Sequence, residues 1–165
     1  MAKTRVLQVA ALAVGVAALG VAVGQQALVA PGPNKVACPE NWSKGVMYAT
    51  VVLFNATATT EIYTSAEAVA AAKAGRPIPD GTVITLAAYA AQADAAGTPL
   101  KDASGRFMKG NLLAVNVMQK KAGWGADIPE AVRNGDWVYQ SFTPDGKAND
   151  KANLTACYQC HLPFA

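Results

Sequence analysis

Histidine occurs once in these 165 residues, as His161, and cysteine only three times, as Cys38, Cys157 and Cys160. A structural zinc site takes four ligands, and Cys38 is the only other soft donor available to complete one, so a zinc-organised fold is poorly supported. An odd cysteine count also excludes a fully paired disulfide framework. Charge is scarce, at 15% of residues with a formal net charge of +3, and no run of Lys or Arg occurs. That argues against a polyanion or nucleic-acid partner. No internal repeat or low-complexity tract stands out beyond an abundance of alanine. What is plentiful is apolar side chain, 52% of the total, enough for one globular domain.

Part of that apolar excess is concentrated at the start. Lys3 and Arg5 precede residues 6–23, which are apolar except for Gln8. A basic tip followed by an Ala/Val/Leu/Gly stretch is the pattern of an export signal. Its length borders on the ~17–25 residues that span a bilayer. Residues 1–30 are therefore expected to be a signal peptide or, if uncleaved, an N-terminal anchor through residues 6–24. The best small-residue cleavage point ends at Ala30, with Pro31 directly behind it. Residues 31–45, with three prolines and two glycines, read as a linker, and residues 46–165 as the domain. The expected location is periplasmic, soluble or tethered. Without residues 1–30 the formal charge falls from +3 to +1, because Lys3 and Arg5 are the only charges there. Cys38 has Lys35 where a lipoprotein signal would have an apolar residue, and reads as a lone buried thiol.

Residues 46–54 are rich in β-branched and aromatic side chains and predict a strand buried on both faces. Residues 61–64 allow a short strand. Ser65 is placed to cap an Ala-rich helix over residues 66–74, stopped by Gly75 and Pro77. Pro79-Asp80-Gly81 is a turn. Strands are predicted over residues 82–89, 112–118 and 137–142, with a loop over residues 97–105 and a helix over residues 150–160. Trp124 and Trp137 are expected to be structural aromatics. The fold class is α+β: a mostly antiparallel β-sheet with a short mid-chain helix and a C-terminal helix that carries the chemistry.

That chemistry lies in Cys157-Tyr158-Gln159-Cys160-His161. In c-type haem attachment two thiols add across the porphyrin vinyl groups, the two intervening residues set their separation, and the following histidine coordinates iron. A redox Cys-x-x-Cys would be expected beside a βαβ unit, and none is predicted. One covalent haem c is the expected cofactor, with His161 as the iron ligand. No second histidine exists for the other axial position. Methionine is the usual alternative in electron carriers. Met47 and Met118 lie within apolar strands, where core packing is the simpler role, so Met108 beside Phe107 is the candidate sixth ligand. An open, five-coordinate iron is preferred over it.

The order of these segments resembles the cytochrome P460 / cytochrome c′-beta family over roughly residues 48–163. The resemblance rests on Glu61-Ile62-Tyr63, Pro79-Asp80-Gly81-Thr82-Val83, Gly123-Trp124-Gly125, Asn134-Gly135-Asp136-Trp137-Val138-Tyr139 and the terminal Cys-x-x-Cys-His. It implies an antiparallel β domain, often a homodimer, with a high-spin haem open to a small ligand. In the hydroxylamine-oxidising branch a lysine after the Asp-Gly-Thr-Val turn is cross-linked to the porphyrin. Counting from that turn, the position falls on Leu86, and no lysine occurs between Lys73 and Lys101. The family's arginine near Glu61-Ile62-Tyr63 is not evident either. The resemblance to the c′-beta branch then implies an apolar distal pocket that binds NO or CO, which Leu86 would fit if it faces the iron. Phe54, by its aromatic size and neighbourhood, is a candidate second cap on that face.

Three functions follow as expectations. A haem protein for a diatomic gas, NO or CO, comes first. An electron carrier with a redox protein partner is the alternative. A hydroxylamine- or NO-oxidising enzyme is the second alternative, and it lacks the lysine, so an enzymatic role is disfavoured.

Overall fold

The computed structural model describes residues 29–53 and 58–164. Five strands form one sheet in the order β1-β2-β3-β4-β5, every neighbouring pair antiparallel. They are β1 (Val46–Leu53), β2 (Ala58–Thr64), β3 (Val83–Ala91), β4 (Lys109–Lys120) and β5 (Trp137–Phe142). Helix α1 (Ala66–Lys73) follows β2, and α2 (Leu154–His161) follows β5. This is the α+β architecture expected from the sequence.

Local chemistry explains the boundaries. The Ser65 side chain accepts the Ala68 N–H at 3.1 Å, satisfying a donor that the first helical turn leaves free. Glu67 and Lys73 are exposed on α1, as solvated surface. Gly81 takes a φ of 78° in the turn before β3, a conformation that costs other residues energy. The helix expected from residue 150 begins only at Leu154. Asn149 accepts the Lys151 N–H at 3.0 Å, and short polar side chains that bond their own backbone hold it in turns. Asn153 then caps α2 by accepting the Ala156 N–H at 3.2 Å. The loop expected over residues 97–105 is the tip of a long β3–β4 hairpin, marked by isolated bridges at Ala93–Pro99 and Lys101–Phe107.

One expectation is corrected. β1 is not buried on both faces; it is the edge strand, and Val46, Met47, Tyr48, Val51 and Val52 are 39–49% exposed. Its composition reports strand propensity, which carries no information about whether the strand is central or at an edge. The most buried strand is β5, at the other edge. Sheet pairing leaves the β5 residues Tyr139 and Ser141 with outward backbone groups, and each group has a partner. The Tyr139 N–H donates to the Tyr158 hydroxyl at 3.3 Å, and its carbonyl accepts from Asn34 Nδ2 at 2.9 Å. The Ser141 N–H donates to Gln140 Oε1, and its carbonyl accepts the Asn149 N–H, each at 2.8 Å. This edge is closed to further strand pairing.

Asn34 belongs to a strap formed by the Pro/Gly-rich residues ahead of β1. Val36 joins the core with Val115, Val117, Val138 and Phe142. Gln140 Nε2 donates to the Gly32 carbonyl at 2.6 Å, and the Val29 N–H reaches Thr155 Oγ1 at 2.9 Å. No helix among the described residues is long and apolar enough to cross a membrane. The apolar run at residues 6–23 lies outside them.

Candidate functional site

Helix α2 has two faces of different chemistry. Leu154, Thr155 and Tyr158 are buried against the body of the domain, Tyr158 completely. Positions three and four apart share a side of a helix, so Asn153, Ala156, Cys157, Cys160 and His161 fall together on the other. They line a cavity of about 490 Å³, whose opposite wall is the sheet: Leu86 from β3, Asn116 and Met118 from β4, Tyr139 and Ser141 from β5. The register explains this wall. Leu86, Asn116 and Ser141 are paired across three strands, and Met118 and Tyr139 form the adjacent row, so all five point to one face of the sheet.

Tyr139 holds the site together. Its ring packs on Tyr158 with centroids 4.6 Å apart, and lies 5.0 Å from the His161 imidazole. Its hydroxyl accepts from Asn134 Nδ2 at 2.5 Å, and the same amide reaches the His161 carbonyl at 3.4 Å. Burial pushes the Tyr139 phenol up, against the opposing effect of the Asn134 bond. Burial also raises the Cys157 thiol and lowers the His161 imidazole. The histidine is thereby biased to the neutral form that binds a metal.

The donor set fits a flat ring better than a bare ion. Cys157, Cys160 and Cys38 are all free thiols. Among the described residues no three His, Cys, Asp or Glu side chains converge to hold a metal. Two thiols and one neutral imidazole along the side of a cavity within the usual ligand-pocket range leave space for a large, mostly apolar group that brings its own metal. This is the chemistry of a haem protein.

The family model for cytochrome P460 matches residues 39–165, and the chain belongs to that family. It is accordingly a haem-binding cytochrome. No curated protein matches the chain by sequence.

The structure brings Cys157, Cys160, His161 and Leu86 onto one cavity. Phe54 lies outside the described residues. Met108, the expected candidate for a sixth ligand, is 39% exposed and lines a separate cleft with Met47, Phe107 and Arg106. Met47 is not core either, at 47% exposure on the edge strand. Met118 is the methionine in the cavity wall. A methionine inside an apolar strand is ambiguous in sequence, because one residue of register decides which face it takes. Asn116 escaped the sequence reading for the same reason. Asn134 and Tyr139 were visible only as parts of Asn134-Gly135-Asp136-Trp137-Val138-Tyr139, which reads equally well as a turn leading into a strand. Trp124 and Trp137 are partly buried and pack against the core. Cys38 is also partly buried there, with its thiol raised by burial.

Proposed function

We propose that this chain is an exported, periplasmic mono-haem c-type cytochrome that binds a small diatomic gas, NO or CO, at an open iron position. Cys157 and Cys160 would carry the porphyrin through two thioethers, each thiol adding its sulfur and hydrogen across a vinyl double bond. His161 would supply a nitrogen ligand to the iron, its ring packed on Tyr139 and its carbonyl reached by Asn134. When bound, the haem supplies the metal position at which a gas ligand is held; every other feature of the pocket belongs to the chain. The observation that carries the reading is Leu86 in the sheet wall of the cavity that His161 lines from the α2 side. A leucine there can neither form the cross-link of the hydroxylamine-oxidising branch nor ligate iron, and the chain has no second histidine. Steric access and polarity on that side decide which ligands enter.

A second reading, electron transfer to a redox protein partner, is favoured by Met118 in the same wall. The optical spectrum of the reduced holoprotein, with and without CO, separates the two. A high-spin spectrum that shifts fully on CO addition supports gas binding. A low-spin spectrum indifferent to CO overturns it, and Met118→Leu should then open the site.

The homodimer implied by the family resemblance would form through β1. Its outer edge pairs with no strand among the described residues, and it exposes a row of apolar side chains of the kind that marks association surfaces.

A further inference from the structure

We infer that Asn116 is a specificity-determining hydrogen-bond donor in the gas pocket. The inference rests on the gas-binding reading and adds to it a means of discriminating between ligands. An apolar pocket around Leu86 would offer a ligand no hydrogen bond. The register changes that, because Asn116 is the direct β4 partner of Leu86. Directly opposed residues of an antiparallel pair have Cα atoms about 4.5–5.5 Å apart and side chains on the same face. Both line the cavity with Cys157, Cys160 and His161.

Asn116 is half-buried, and its Nδ2 donates no hydrogen bond to any described residue. It therefore presents two free N–H groups on a wall whose other members include Leu86 and Met118. Tyr139, whose ring lies 5.0 Å from the imidazole, uses its hydroxyl to accept from Asn134 Nδ2, and Ser141 is the further polar side chain in the row of Asn116 and Leu86. A carboxamide donor acts selectively. It stabilises ligands that become negatively polarised on the metal, such as NO, more than the weakly polarised CO. Leu86 excludes bulk and Asn116 selects by charge, so the pair divides the recognition between two adjacent strands.

The test uses the ferrous holoprotein, with the C–O stretching frequency and the NO and CO dissociation rates as readouts. Asn116→Leu should raise the stretching frequency and speed NO release about five- to tenfold, the factor one net hydrogen bond is worth, with a smaller effect on CO. Asn116→Asp keeps the size and removes the donor, so it should show the same direction even if the leucine variant loads haem poorly. If the wild-type protein binds CO and both variants match it in frequency and rates, the role of Asn116 is overturned while the gas-binding reading stands. If the wild-type protein does not bind CO, both fall together.

Discussion

Replacement of Tyr158 tests the link between the core and the cavity-lining face of α2. The side chain is fully buried between the two motif cysteines, its ring edge-on to Tyr139 and its hydroxyl accepting the Tyr139 N–H. Tyr158→Phe keeps the ring and removes one acceptor, leaving a buried backbone donor unpaired. That costs about 1–3 kcal/mol in general, and the 3.3 Å length of this bond places it at the low end, about 1–2 kcal/mol. Tyr158→Ala also empties the space of the ring and should cost about 3–5 kcal/mol. For a chain of this size each kcal/mol moves Tm by about 2–4 °C. The expected losses are therefore about 2–8 °C for phenylalanine and about 6–20 °C for alanine, read by calorimetry on the purified protein. The alanine variant should also carry less haem per chain, because the largest buried side chain holding α2 against β5 is then gone. A phenylalanine variant that melts with the wild type would refute the claim that this hydroxyl completes the edge of β5. An alanine variant with full stability and haem content would refute the anchoring role altogether.

Gly125→Ala should be among the most damaging small changes, at about 4 kcal/mol or more. A Cβ there would fall on the Gly135 carbonyl, 2.9 Å from its carbon, and neither backbone can yield; wild-type urea stability in that variant would sink the argument. Glu61 gives a pH prediction. Burial alone would raise its carboxyl, but hydrogen bonds from Lys109 and Tyr63 outweigh this and hold it below the usual carboxylate range. A carboxyl that ionises more readily folded than unfolded stabilises the fold above the unfolded pKa of about 4.3, and loses that effect as pH falls through the lower folded value. Glu61→Gln should cost about 1 kcal/mol at neutral pH and flatten the acid limb of a denaturation series; an unchanged acid limb would count against the pairing.

The Cys157-Tyr158-Gln159-Cys160-His161 segment was legible because its spacing is local. Cys157, Cys160 and His161 sit within one and a half helical turns, and their spacing alone puts them on one side of α2. The same is true of the Ser65 cap and the Gly81 turn, where one side chain or one backbone angle decides the outcome. By itself, then, the sequence determined the α+β class, the order of strands and helices, and the spacing that brings Cys157, Cys160 and His161 to one side of the last helix. The sheet wall of the pocket was a different matter. Whether Leu86, Asn116 and Met118 face α2 depends on register across three strands, and a slip of one residue would reverse all of them. The edge position of β1, the exclusion of Met108 from the cavity and the strap over β5 likewise depend on which segments pair at long range. Those contacts are chosen by the burial free energy of the whole domain rather than by any local preference, which is why only the tertiary structure decided them.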